Sequence, residues 1–237
     1  LVLPIGVATS GAAAANPYTP DMATVDITLP AGQTPGDITK ETPLSATIEV
    51  DSPVAELDYA ATAGGEVKGR GNSTWRRDKK PYQIKLKSSA ALLGMPSAKT
   101  WVLLANHNDA TLMRNKLAFE LARDSGMPYV SESRWVDLRI NGEYFGNYLL
   151  TEKVEVKTNR VELANPRGVL VELDNNYGRD EPYFFVTAAS GTVFTLKDAF
   201  GGAPDAGEMD APEFAQTKLG WESMKTTLNK LDSLLAN

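Results

Sequence analysis

The stretch RWVDLRINGEYFGNYLLTEKVEV, residues 134–156, constrains the fold more than any other part of the chain. Two runs of alternating apolar and polar residues flank Asn141-Gly142. Both central positions of a type I′ turn need a positive φ, which asparagine and glycine accept more readily than other residues, so the pair predicts a tight β-hairpin. Other segments carry the same period of two. Residues 24–60 alternate in TVDITL and SATIEV, on either side of a Pro/Gly-rich turn at 32–36, and predict antiparallel sheet. Tyr82, Ile84 and Leu86 alternate with Gln83, Lys85 and Lys87, so this strand turns Lys85 and Lys87 to one face, away from the core. A short apolar strand follows at 101–104, and further strands are expected at 168–174, 183–188 and 192–197.

Two helices interrupt the strands. Asp109 suits an N-cap for a helix running to about Ser125, where Gly126 and Pro128 stop it, with Leu112, Met113, Leu117 and Leu121 as its buried stripe. Residues 201–211 are rich in Gly, Pro and acid and read as a linker. Pro212 then opens a second amphipathic helix with Phe214, Met224, Leu228, Leu231 and Leu235 inward. It continues to the last residue without a stop signal, which suggests a cut within a domain.

Charge is distributed unevenly. Residues 68–87, KGRGNSTWRRDKKPYQIKLK, hold eight Lys or Arg against the single Asp78, whereas the whole chain has 24 basic and 30 acidic residues. Such a concentration points to an anionic ligand, or to a solvated strand edge protected by lysines. The window opens on Gly69-Arg70-Gly71-Asn72-Ser73-Thr74, a small, donor-rich run whose backbone N–H groups can approach a phosphate. It completes neither a dinucleotide fingerprint nor a Walker motif. Nucleic acid is disfavoured, because only Trp75 and Tyr82 interleave with the charges and the chain as a whole is acidic.

Several chemistries are excluded outright. There is no cysteine, which removes disulfides and thiolate sites, and the single His107 rules out any site needing two imidazoles; beside Asn106 and Asn108 it reads as an exposed loop residue. No run reaches the roughly 18 apolar residues that cross a bilayer. Glu172, Asp174, Asp180 and Glu181 form either a hard-metal site or, more ordinarily, a polar turn between strands. Glu152 and Glu155 read as a possible acid and base or as solvated strand ends. The first residues, LVLPIGVATSGAAAANP, read equally as the remnant of a secretory signal, with Ala12 to Ala15 as its cleavage region, or as a strand and flexible linker. An exported protein is slightly favoured.

Taken together, GRGNSTW, KKPYQIKL, LLGMPSAKTWVLLANHNDATLMRNKLAFELAR and LRINGEYFGNYLLTEKVE followed by GVLVELD resemble the CotH kinase family, in the right order from about Asp26 to Lys197. The resemblance implies secreted or spore-coat proteins, hence an extracytoplasmic location, that phosphorylate Ser of coat proteins with ATP and Mg²⁺. It implies an α+β fold like the N-terminal lobe of a protein kinase, an antiparallel sheet with one packed helix, spanning residues 25–200. Residues 1–24 would then be a leader remnant or linker, and 201–237 a linker with the first helix of a C-terminal lobe that is otherwise largely missing. In that frame Gly69, Arg70, Gly71, Asn72, Ser73 and Thr74 approach the phosphates and Lys85 is the strand lysine. Glu120 is its ion-pair partner, and Thr151, Glu152 and Lys153 are a hinge facing adenine. Family members carry an aspartate-bearing Trp-Asp-Phe-Asp type segment further on, which this sequence lacks. No metal ligand is therefore assigned, and the chain by itself is expected to catalyse poorly or not at all. A non-catalytic surface binding module or a nucleotide-binding pseudokinase is the competing expectation.

Overall fold

The computed structural model describes residues 22–54, 57–60 and 64–236, so nearly all of the expected leader or linker at 1–24 lies outside the described residues. The chain divides into two units. The first comprises Leu1–Ala118 and Glu132–Thr151, the second Phe119–Ser131 and Glu152–Asn237.

Eight strands build the first unit: β1 Ala23–Thr28, β2 Leu44–Asp51, β3 Tyr59–Ala60, β4 Gly65–Gly69, β5 Tyr82–Ala90, β6 Ala98–Leu104, β7 Ser133–Ile140 and β8 Glu143–Glu152. Their order is β1-β7-β8-β6-β5-β4-β2-β3, and β1 also pairs with β2, which closes seven of them into a barrel with β3 outside the ring. Val25 faces Val50 on antiparallel β2 and Leu138 on parallel β7. The alternation read from the sequence determines what the barrel encloses. Val25, Ile27, Ile48, Val67, Ile84, Leu86, Trp101, Leu103, Leu138 and Ile140 are almost wholly buried in one cluster.

The expectation of an open, kinase-like lobe with one packed helix is therefore wrong. A sheet closed on itself buries its own apolar face and needs no helix as a lid. The helix α1, Arg114–Asp124, accordingly buries none of its residues. Met113, Leu117 and Leu121, expected as its buried stripe, are each more than half exposed. The helix also starts four residues later than an N-cap at Asp109 implies. Asn106 and Leu112 adopt left-handed φ values of 50° and 60°, which hold the segment before Arg114 in a loop. Asp109 still caps it, since its Oδ2 accepts the Arg114 N–H at 2.8 Å.

The hairpin forms as expected. Asn141 and Gly142 have φ of 53° and 80° between β7 and β8. The turn also ties the hairpin to the first strand: Asn141 Oδ1 accepts the Leu29 N–H at 2.8 Å, and the Asn141 N–H donates to Ile27 O at 2.9 Å.

In the second unit β9 Val169–Leu173, β10 Phe184–Val186 and β11 Val193–Ala199 form an antiparallel sheet in the order β10-β11-β9. The helix α2, Ala215–Leu235, buries Thr217, Gly220 and Trp221. Trp221 meets Leu196 and Met209, with Phe185 edge-on at 5.4 Å. A Cβ on Gly220 would overlap the Arg167 carbonyl, so glycine permits the close approach of helix and chain. The expected inward set is half right. Phe214, Met224 and Leu228 are partly covered, but Leu231 and Leu235 are exposed, because Trp221 and Met209 anchor the helix near its start.

Candidate functional site

At the end of the barrel where β4 finishes, β5 begins and β6 finishes, two loops border one cavity of about 430 Å³. One is the glycine-rich run after β4 and the other the Asn106–Asp109 segment after β6. Arg70, Gly71 and Thr74 line it from the first loop, and His107, Asp109 and Arg114 from the second and the start of α1.

The first loop is shaped by packing. Trp75 occupies the space that a side chain on Gly69 would need, and its ring meets Tyr82 edge-on at 6.2 Å. Gly71 has φ of 82°, and a Cβ there would run into Thr74 Oγ1. The Gly69 N–H already donates to Thr39 O at 2.7 Å and the Arg70 N–H to Pro81 O at 3.2 Å. By contrast, the N–H groups of Gly71, Asn72, Ser73 and Thr74 donate to no protein acceptor among the described residues. Such successive unpaired donors around a left-handed glycine suit an anion. The Asn72 side chain accepts from Lys40 Nζ at 3.5 Å.

The second loop is held by its own side chains. Asn106 Nδ2 donates to Leu112 O at 2.9 Å, and Asn115 Nδ2 donates to Asn106 Oδ1 at 2.7 Å. Asp109 Oδ1 accepts the Thr111 hydroxyl at 2.7 Å and its N–H at 3.0 Å. The Thr111 hydroxyl, followed by the Arg114 N–H, holds the Asp109 carboxyl below the usual carboxylate range. Both of its oxygens are therefore engaged, which suits a structural anchor and not a proton acceptor. The Arg114 Nε lies 3.6 Å from Asp109 Oδ1 while the side chain stays 78% exposed, available to a ligand.

The remaining expected site residues lie elsewhere. Lys85 projects from β5, three residues beyond Tyr82, about 10 Å along the strand from the glycine-rich loop. Its amine is 3.9 Å from Glu66 on the neighbouring strand. Glu120 pairs with Arg123 at 2.7 Å. Thr151 is buried and donates to Glu132 O at 2.9 Å. Glu152, at the end of β8, is buried with Arg160, 2.6 Å away, and accepts from Tyr129 OH at 3.2 Å. Lys153 lies 3.4 Å from Glu155. The chain passes between the two units at 118/119, 131/132 and 151/152.

Other charges of the basic window have packing roles. Lys80 Nζ lies over the Trp75 ring at 4.8 Å and donates to Trp75 O. Lys79 lies over the Tyr148 ring at 4.7 Å and donates to Asn147 O, and burial pushes its amine down. The acidic cluster is a turn: Asp174 accepts the Asn176 and Tyr177 N–H groups, and Glu172 pairs with Lys197 at 2.8 Å.

Residues 67–230, well over half of the chain, match the family described as CotH kinase protein. The chain belongs to the CotH kinase protein family. The match in this CotH protein starts within β4 and ends within α2, later at both ends than the resemblance read from the motifs. It takes in both cavity loops and the hairpin, but not β1 or β2, the strands that close the barrel. A search of curated proteins found no match. The sequence did not single out Arg114 and Asn115 for a site, whereas His107 is the exposed loop residue that it indicated. The available signal was positional, since a polar loop directly after β6 must lie at the barrel end where β4 delivers the glycine-rich loop.

The magnesium ion implied by the family does not fit the cavity. Among the described residues no group of three or more His, Cys, Asp or Glu is placed to hold a metal, and the cavity's Asp109 has both oxygens occupied. Among the described residues no helix is long and apolar enough to cross a membrane.

Proposed function

We propose that this CotH protein acts in transfer of the γ-phosphoryl group of ATP to a Ser or Thr hydroxyl of an extracytoplasmic protein. Its loop cavity would hold the phosphate chain. In that reaction the bond from the γ-phosphorus to the bridging oxygen breaks, ADP departs with the electron pair, and the hydroxyl oxygen bonds phosphorus as its proton passes to solvent. The observation that carries the reading is the set of unpaired N–H donors from Gly71 to Thr74 beside Arg70 and Arg114, on one cavity. Backbone donors and guanidinium groups stabilise phosphoryl charge without covalent chemistry, which is what phosphoryl transfer asks of a protein. Family membership supports the same reading.

The further roles proposed for Glu120, and for Thr151, Glu152 and Lys153 at the nucleotide base, rest on the resemblance. The extracytoplasmic location does too, and fractionating the source cells tests it. The decisive experiment incubates the full-length protein with γ-labelled ATP and a Ser-rich acceptor and follows label into protein. Arg114→Gln is expected to lower incorporation or nucleotide affinity by about tenfold. Unchanged affinity would remove the cavity from the mechanism. A nucleotide-binding protein without turnover is favoured by one observation, the occupied oxygens of Asp109 in the cavity. It predicts a nucleotide-induced rise in Tm with no label transferred.

A further inference from the structure

A second cavity, of about 630 Å³, opens at the opposite end of the barrel, where β1 ends and β4 and β6 begin. Its floor is apolar: Leu29, Ala46 and Leu86 are all buried. Its rim carries Lys85, Lys87 and Lys99 against one carboxylate, Glu66. Glu66 is taken by Lys85 at 3.9 Å. Lys87 and Lys99 make no hydrogen bond or ion pair among the described residues. The rim thus concentrates positive charge in a chain whose net charge is −6. Ser45 and Thr47 add hydroxyl groups to the same rim.

We infer that this barrel mouth binds a small organic phosphate, with the phosphoryl dianion between Lys87 and Lys99 and the organic part on the Leu29, Ala46 and Leu86 floor. Two ammonium groups match two negative charges, and hydroxyl donors suit the remaining phosphoryl oxygens. A cavity of this size with an apolar floor and a few convergent polar groups is typical of a small-molecule site. The site is distinct from the loop cavity and does not depend on the phosphotransfer reading.

Phenyl phosphate is the probe, titrated calorimetrically into the full chain. One-to-one binding is expected, weakening as salt rises. Benzoate, with the same ring and one charge, is expected to bind at least about tenfold more weakly. The exposed double substitution K87Q/K99Q should abolish binding while leaving Tm unchanged, and Arg114→Gln at the other end should leave it intact. Saturating ATP should not displace the probe. Unaltered binding in K87Q/K99Q, equal binding of benzoate, displacement by ATP, or no binding to the parent chain would each overturn the inference.

Discussion

Gly71 shows how far a single residue can decide the shape of the loop cavity. It combines φ of 82° with a Cβ position blocked by Thr74 Oγ1, so an added methyl strains the backbone and displaces the hydroxyl together. Gly71→Ala is expected to cost about 1–3 kcal/mol in urea unfolding and to weaken nucleotide binding in the same sample. Asp109 adds a pH dependence. Its carboxyl is held below the usual range by the Thr111 hydroxyl and the Arg114 N–H, so its contribution is present above the ordinary carboxylate pKa. It is lost as pH falls through the lowered value. Hydrogen exchange should find the Thr111 and Arg114 amides protected at neutral pH and opened well below about pH 4. Asp109→Asn should remove that pH dependence.

At the scale of elements, the strands and both helices were legible, but the face that a helix buries was not. Period-two alternation names which side of β5 or β7 is buried, and it is local, so Ile84 and Leu138 face inward as the sequence indicates. Ile84→Ala should cost about 2–5 kcal/mol in the unfolding midpoint, because the closed interior cannot collapse around the gap. The α1 stripe misled because amphipathic spacing states that a helix can bury a face, not that a partner exists. Leu117 and Leu121 have the spacing and remain exposed. The loop cavity was half legible. Glycine-rich donors announce themselves in sequence, but Arg114 joins them only through the pairing of β4, β5 and β6, which no local signal reports. The hairpin turn carries more than its own two strands. Asn141→Ala removes acceptance of the Leu29 N–H and donation to Gln33 O, and should cost about 1–2 kcal/mol by thermal unfolding.

For the barrel as a whole, alkali is the predicted point of failure. Burial pushes Tyr82 up to about 12 from 10.0, and pushes Tyr148 up as well, with the charge of Tyr82 adding to the effect. A raised folded pKa means that the stabilisation is complete below the unfolded value and declines as pH rises through the folded one. Stability should therefore fall between about pH 10 and 12, by about 2–3 kcal/mol for Tyr82 alone. Tyrosinate absorbance should rise together with loss of the barrel's circular dichroism, and Tyr82→Phe should shift that transition to higher pH. The parallel seam has a consequence for birth as well as for survival. Among the described strands β1 leaves the ribosome first, yet one of its two neighbours is β7, more than a hundred residues later in the chain. Until β7 and β8 are synthesised, the growing protein holds a bare strand edge open to strangers, and a cell producing it must shield that edge or outrun its aggregation.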